Sequence, residues 1–132
     1  MVLLITSAII CSEGKVLLLK RNKEPEKGRW SFPGGVGSLK KYPNPIDAVK
    51  DEVKYDLGVA FIVDSFFDYS FYEGKEGPAV VLHFIGKITG KPILNKTEIV
   101  DWKFFSQKEL PDEIAFNNQN ILKKFFENEK NK

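Results

Sequence analysis

The stretch from residue 30 to residue 59 constrains the fold of this chain most, because it joins a strand to a helix through a glycine pair. It reads WSFPGGVGSLKKYPNPIDAVKDEVKYDLGV. Gly34 and Gly35 lie where a strand must turn and where backbone amides can approach a ligand closely. A loop follows, and then a helix that carries Glu52 and Asp56 one turn apart. This order of elements predicts an α/β unit.

The helix has clear start and stop signals. Asn44 is a good N-cap, Pro45 suits the first helical position, and Gly58 suits the end. Apolar side chains at helical spacing predict the buried face. They are Ile46, Val49, Val53 and Leu57. The opposite face is predicted to be polar.

The polar face of this helix carries Asp47, Asp51, Glu52 and Asp56. Because Glu52 and Asp56 are four positions apart, their like charges repel by a few tenths of a kcal/mol. A divalent cation between them would remove this repulsion. The alternative is a solvated face on which Lys50 and Lys54 neutralise the acids, and for an arbitrary helix this is the commoner arrangement.

Aliphatic and aromatic runs predict the remaining elements. Strands are expected at residues 2–11, 15–21, 61–72, 79–88 and 99–105, and a closing helix at residues 118–127. The first two strands should form a hairpin through the turn at residues 12–14. Strands on both sides of a central helix predict a mixed sheet flanked by helices. With 132 residues, the chain is sized for one domain, spanning residues 1–132.

Composition narrows the function classes. Twenty basic and 18 acidic residues give a net charge of +2, so charge offers no argument for a nucleic-acid or membrane partner, and we expect neither. Cys11 lies in an apolar run, where a thiol is usually a small buried hydrophobe. The N-terminal apolar run is interrupted by Thr6 and Ser7 and lacks a basic leader, so a reducing cytoplasm is the expected location.

Several motifs together resemble the Nudix hydrolases, the MutT-like family. They are GRWSFPGG at residues 28–35, Glu52-Val53, and Leu57-Gly58-Val59, which follow much of the Nudix box. Residues 17–21 resemble the strand before the box and residues 102–111 resemble the family's closing strand and turn. The resemblance implies the Nudix fold, a mixed β-sheet sandwiched between α-helices. It also implies hydrolysis of a diphosphate in a small-molecule nucleotide, with Mg²⁺ or Mn²⁺ held by helix carboxylates and a bound water as the nucleophile.

Carried over by position, the resemblance assigns candidate site residues. Glu52 and Asp56 would hold the metal, and Glu52 and Glu98 would be catalytic, with Glu98 as a further ligand or the general base. The candidates for substrate binding are Gly34, Gly35, Arg21, Arg29, Trp30 and Phe116. The resemblance also admits a homodimer, since many Nudix proteins dimerise, but the sequence does not decide the oligomeric state.

This chain departs from the Nudix box at several positions. Lys41 stands in place of the first glutamate, Asp51 in place of the arginine and Tyr55 in place of one helix glutamate, and the loop is two residues longer. A phenol is a poor magnesium ligand, so metal affinity should fall. The family's loop–helix ion pair either persists here with exchanged charges, between Lys40 or Lys41 and Asp51, or is lost to solvent.

Three functions therefore remain open. The first is a hydrolase of a nucleoside diphosphate derivative such as ADP-ribose or a sugar nucleotide, since residues 110–122 resemble the tail of Nudix proteins that cleave these compounds. The second is a Nudix-fold module that binds a nucleotide or a protein without hydrolysis. It is favoured by Lys41 and Tyr55, which stand where the Nudix box has glutamates. The third is a house-cleaning nucleoside triphosphate pyrophosphatase.

Overall fold

The structure, a computed structural model, describes residues 2–36 and 38–132, with the backbone alone for residues 38 and 39. Its strands are β1 (Leu3–Ser12), β2 (Lys15–Arg21), β3 (Trp30–Ser31), β4 (Gly34–Gly35), β5 (Phe61–Gly74), β6 (Gly77–Ile88) and β7 (Ile99–Phe105). Its helices are α1 (Ser38–Lys41), α2 (Pro45–Leu57) and α3 (Asn118–Lys130), with a 3₁₀ turn at Gln107–Glu109. The predicted strands and both predicted helices are present.

The strands form a mixed sheet in the order β3-β2-β1-β6-β5. β1 runs parallel to β6 and antiparallel to β2, so the predicted hairpin is confirmed. β7 pairs with β2, and the short β4 pairs with β1. Gly34 and Gly35 therefore belong to a ladder with β1, whereas the sequence predicted only a turn there.

Two hydrophobic clusters lie on opposite faces of the sheet. Side chains alternate along β1, so Ala8 and Ile10 belong to one cluster and Ile9 to the other. α2 packs on the first face through Val49, Val53 and Leu57, and α3 packs on the second through Ile121, Leu122, Phe125 and Phe126. The predicted α/β fold, a mixed sheet sandwiched between helices, is confirmed.

The ends of α2 are where the sequence predicted them. Asn44 Oδ1 accepts a hydrogen bond from the Ile46 backbone N–H at 2.9 Å, Pro45 begins the helix, and Gly58 ends it in the left-handed conformation at φ 65°. These contacts are local, which explains why sequence alone predicted them.

The predicted faces of α2 need correction. Ile46 is 39% exposed, because it lies in the first turn, ahead of the buried stripe that begins at Ala48. Glu52 and Asp56 are each only 8% exposed, so they do not lie on a solvated face. They precede Val53 and Leu57 by one position and fall inside the same buried stripe of the helix. Within the described part of the chain, none of the helices has the length and apolar character needed to span a membrane.

Candidate active site

The glycine pair brings the backbone of β4 directly onto α2. A Cβ atom on Gly34 would lie 2.3 Å from the Thr6 carbonyl oxygen, and one on Gly35 would lie 2.9 Å from Glu52 Oε2. Only a residue without a side chain fits either position without displacing its neighbours. Gly35 therefore forms a close contact between the backbone of β4 and the carboxylate of Glu52, whereas Gly34 lies directly against the backbone of β1.

Glu52 and Asp56 form a buried pair of like charge. Burial, and then the charge of Glu52, raise the pKa of Asp56 from 3.8 to about 7, while a hydrogen bond from the Gly34 backbone opposes the rise. A helix has little reason to bury two neighbouring acids for stability alone, because desolvation and mutual repulsion both act against it. Such a pair is suited to hold a cation.

Glu98 lies beside this pair in the segment before β7, and two side chains engage its carboxylate. Lys23 Nζ lies 2.7 Å from Oε2, and the Tyr55 hydroxyl donates to Oε1 at 3.3 Å. The hydrogen bond from Lys23 is the main reason why the pKa of Glu98 lies below its usual range. Tyr55, which replaces a helix carboxylate, thus connects α2 to Glu98.

The residues present fit a divalent cation bound by two protein carboxylates. Among residues 2–36 and 38–132, no group of three or more His, Cys, Asp or Glu side chains is arranged to hold a metal ion. Magnesium, however, is commonly bound through one or two carboxylates, and it takes its other oxygens from water and substrate phosphates. The buried, mutually repelling pair at positions 52 and 56 supplies oxygen donors of that kind.

Arg21 and Phe116 come together at the end of β2. The Arg21 guanidinium carbon lies 4.7 Å from the centroid of the Phe116 ring, and Arg21 Nε donates to the Pro25 carbonyl oxygen at 2.8 Å. Burial lowers the pKa of Arg21, and the charges of nearby carboxylates oppose this effect, first that of Glu26 and then those of Glu98 and Asp56. Arg21 is therefore within electrostatic reach of the acidic residues.

Trp30 packs against a hydrophobic cluster, whereas Arg29 is largely exposed. The Trp30 ring packs edge-on against Phe105, with ring centroids 5.0 Å apart, in the cluster beneath α3. The Arg29 side chain is largely exposed and lies 3.9 Å from Glu26 Oε1. At the end of α1, Lys41 Nζ lies 5.2 Å from the centroid of the Tyr42 ring. An ion pair between Lys40 or Lys41 and Asp51 stays a prediction.

Sequence reasoning missed three residues at or near the site: Lys23, Glu26 and Tyr72. The first two lie in the charged loop between β2 and β3, where nothing in the local pattern distinguishes one charged side chain from the next. Tyr72 packs edge-on against Phe116 at 5.2 Å between centroids, a contact that joins distant parts of the chain. Only the assembled sheet brings these groups together.

The fold and the acidic helix behind a glycine pair define an α/β protein of the Nudix architecture. The model of the NUDIX domain family matches residues 3–125, so this chain belongs to the Nudix family, as the motifs predicted. A curated relative is the ADP-ribose pyrophosphatase of Methanocaldococcus jannaschii. It is 27% identical over 119 residues, which cover 89% of this chain and 69% of the relative.

Solved structures share the fold. The MutT Nudix hydrolase of Burkholderia pseudomallei superposes with a TM-score of 0.83 at 22% identity, covering 93% of this chain and 97% of its own. The Nudix domain of Shewanella oneidensis NrtR, solved in complex with ADP-ribose, superposes with a TM-score of 0.80 at 17% identity. The match covers 100% of this chain and 90% of that domain's chain. At these identities the likeness concerns the fold.

Proposed function

We propose that this chain is a pyrophosphohydrolase that cleaves the diphosphate of a nucleoside diphosphate derivative, such as ADP-ribose or a sugar nucleotide. The observation that carries the proposal is the buried Glu52–Asp56 pair beneath the Gly34-Gly35 backbone. The curated relative's name, ADP-ribose pyrophosphatase, and the ADP-ribose bound by the NrtR domain support this substrate class.

Glu52 and Asp56 would hold Mg²⁺ or Mn²⁺. Such an ion neutralises phosphate charge and lowers the pKa of a bound water. With Tyr55 in place of a further carboxylate, the metal has fewer protein ligands, so we expect weak binding that the substrate phosphates strengthen. Metal affinity should therefore rise when a diphosphate is bound.

The remaining site residues would act directly on the substrate and on the proton. Glu98 would accept the proton of the attacking water, and Lys23 and Tyr55 keep its carboxylate ionised and oriented. Arg21 would pair with the diphosphate, and the Phe116 ring would wall the nucleoside pocket. The Gly34 N–H already bonds the Asp56 carboxylate, so of the glycine pair we expect the Gly35 backbone to approach the substrate, and the exposed Arg29 would contact a phosphate.

A binding module is the second candidate. It is favoured by the absence of a three-ligand metal cluster from the described residues, and by the hydrogen bond from Lys23, which lowers the pKa of Glu98 and so makes its carboxylate a weaker base. Such a protein would bind the nucleotide derivative and leave it intact. A nucleoside triphosphate pyrophosphatase would share the chemistry of the first proposal but would prefer triphosphates over ADP-ribose.

The deciding experiment measures turnover of ADP-ribose, sugar nucleotides, dinucleotides and nucleoside triphosphates, with Mg²⁺ and with Mn²⁺. Glu52→Gln keeps the shape of the side chain and should reduce turnover at least about 100-fold, since even groups behind the ligands are worth 10- to 100-fold. Asp47→Asn, on an exposed part of the same helix, is the matched control. Equal turnover in wild type and Glu52→Gln would remove Glu52 from the mechanism. Thermal stabilisation by ADP-ribose without turnover would establish the binding module.

We also propose the domain extent, the compartment, the assembly and the partners of this protein. We propose one Nudix domain spanning residues 1–132, acting in the cytoplasm on a small nucleotide, with a homodimer as its assembly and without nucleic-acid or membrane partners. Burial raises the pKa of the Cys11 thiol to about 11, so we expect this cysteine to be unreactive. Size-exclusion chromatography with light scattering tests the assembly, since a monomeric mass would exclude the dimer.

A further inference from the structure

Glu26, in the loop between β2 and β3, contacts several groups around the proposed substrate pocket. Its Oε2 accepts a hydrogen bond from the Phe116 backbone N–H at 3.0 Å, which joins positions 90 residues apart. Its Oε1 lies 3.9 Å from Arg29 Nη1. One carboxylate thus links the β2–β3 loop to the turn that precedes α3.

Two further side chains meet at the same place. Burial, the charge of Glu26 and a hydrogen bond to its carboxylate raise the pKa of Tyr72. The Tyr72 ring packs edge-on against Phe116, whose ring also lies 4.7 Å from the Arg21 guanidinium carbon. Three residues therefore contact Phe116. Glu26 bonds its backbone N–H, the Tyr72 ring packs against its ring, and the Arg21 guanidinium makes a cation–π contact with the same ring.

The backbone of this turn needs such support. Phe116 and Asn117 have φ values of 56° and 63°, and Glu26 itself has φ 60°. Left-handed conformations are unfavourable for residues other than glycine, so they persist only where surrounding contacts enforce them. The Ala115 N–H bonds the Trp30 carbonyl oxygen at 2.8 Å, which fixes the chain up to the turn. The Glu26 carboxylate then supplies the contact to the turn itself.

We propose that Glu26 is a positioning residue for nucleoside diphosphate binding. By accepting from the Phe116 N–H it holds the Phe116 ring where that ring supports the Arg21 guanidinium. Arg21 in turn lies within electrostatic reach of Asp56 and Glu98, on the side where the diphosphate would bind. This inference rests on the proposed function, because it assigns to Glu26 the orientation of two residues that the proposal places against the substrate.

The test compares Glu26→Ala, which removes the acceptor, with Glu26→Gln, which keeps an oxygen facing the Phe116 amide. Glu24→Gln in the same exposed loop is the matched control, since Glu24 contacts only the Lys27 N–H among the hydrogen bonds of the described residues. The first measurement is calorimetric affinity for ADP-ribose in EDTA, where metal-dependent turnover does not interfere. The second is hydrogen exchange of the Phe116 amide without ligand.

We expect Glu26→Ala to weaken ADP-ribose binding about 10-fold and to speed exchange at Phe116, because it removes a charge-assisted hydrogen bond. Glu26→Gln should recover most of both, and Glu24→Gln should match wild type. In steady-state assays, KM should rise in Glu26→Ala by more than kcat falls.

Wild-type affinity in Glu26→Ala would overturn the proposal. So would equal weakening in both Glu26 variants with Phe116 still protected, since the carboxylate would then act through its charge alone. If wild type neither binds nor hydrolyses ADP-ribose or a sugar nucleotide when Mg²⁺ or Mn²⁺ is present, the proposed function fails, and the inference that rests on it fails with it. Exchange at Phe116 then reports separately whether Glu26 holds the turn.

Discussion

Replacing Asp56 with asparagine should stabilise this protein at neutral and alkaline pH, although it removes a proposed metal ligand. Asp56 is buried beside Glu52, and these two effects raise its pKa from 3.8 to about 7. A carboxyl group whose pKa is higher in the folded state opposes folding once it is ionised. The asparagine side chain would keep the size and an acceptor for the Gly34 N–H, and it would carry no charge.

The magnitude follows from the shift in pKa. At about 1.4 kcal/mol per pH unit, a rise from 3.8 to about 7 corresponds to about 4 kcal/mol once Asp56 is fully ionised. The shift of Asp56 combines burial with the charge of Glu52, and a buried asparagine amide has a desolvation cost of its own, so the gain in the free energy of unfolding should lie between about 1 and 4 kcal/mol.

The pH dependence has a definite sign. Below about pH 4 the carboxyl is protonated in both the folded and the unfolded protein, so it contributes nothing to stability there. As pH rises from about 4 to about 7, the unfolded chain loses this proton first, and wild type loses stability. The advantage of Asp56→Asn should therefore appear over this interval and stay constant above it.

Urea unfolding in EDTA at about pH 5 and about pH 8 measures this difference. Asp47→Asn makes the same chemical change on an exposed position of α2 and should show no such pH-dependent gain. Adding Mn²⁺ at the higher pH should stabilise wild type and have less effect on Asp56→Asn. Equal destabilisation of Asp56→Asn at both pH values would refute the reasoning, because the carboxylate would then be a favourable part of the fold.

Two further sites give direct predictions. Gly34→Ala would place a Cβ atom 2.3 Å from the Thr6 carbonyl oxygen, so the free energy of unfolding should fall by about 1–3 kcal/mol and the melting temperature should fall with it. In Gly35→Ala the added Cβ atom would press on the Glu52 carboxylate instead, so this variant should reduce turnover more than stability. An unchanged melting temperature in Gly34→Ala would contradict the β1–β4 contact. Tyr55→Glu places a carboxylate on α2 beside Glu98 and should therefore tighten Mn²⁺ binding. Titration with Mn²⁺ measures this affinity, and Tyr55→Phe is the control variant. No gain in affinity would mean that loop geometry limits the metal site.

The local signals in this sequence were enough to predict the helices and the longer strands, but not how these elements pair and contact one another. Asn44, Pro45 and Gly58 act within a few residues of α2, so its ends were readable. The pairing of Gly34-Gly35 with Thr6 and Ser7 depends on where the chain folds back, and no periodicity encodes it. Two-residue strands are too short to produce a pattern.

The candidate site divides in the same way. Glu52 and Asp56 could be found because they are one turn apart on a helix, but their burial could not, since it depends on β4 lying across them. The contacts of Glu98 with Lys23 and of Glu26 with Phe116 join segments 75 and 90 positions apart. Charged residues in loops look alike until the fold selects partners for them.

The candidate site also concentrates several features that are locally unfavourable. Acids occupy the stripe of α2 that would otherwise be apolar, glycines occupy a strand, and Phe116 and Asn117 adopt left-handed conformations. Each feature opposes folding by itself, and neutral or apolar residues at 52 and 56 would make a more stable helix. A protein with no ligand to bind at this place would be more stable without them. Arg21 lies over the Phe116 ring and is affected by the charge of Asp56, and this arrangement supports our proposal that the unfavourable features serve one anionic ligand, which a cation would hold at one end and the guanidinium at the other.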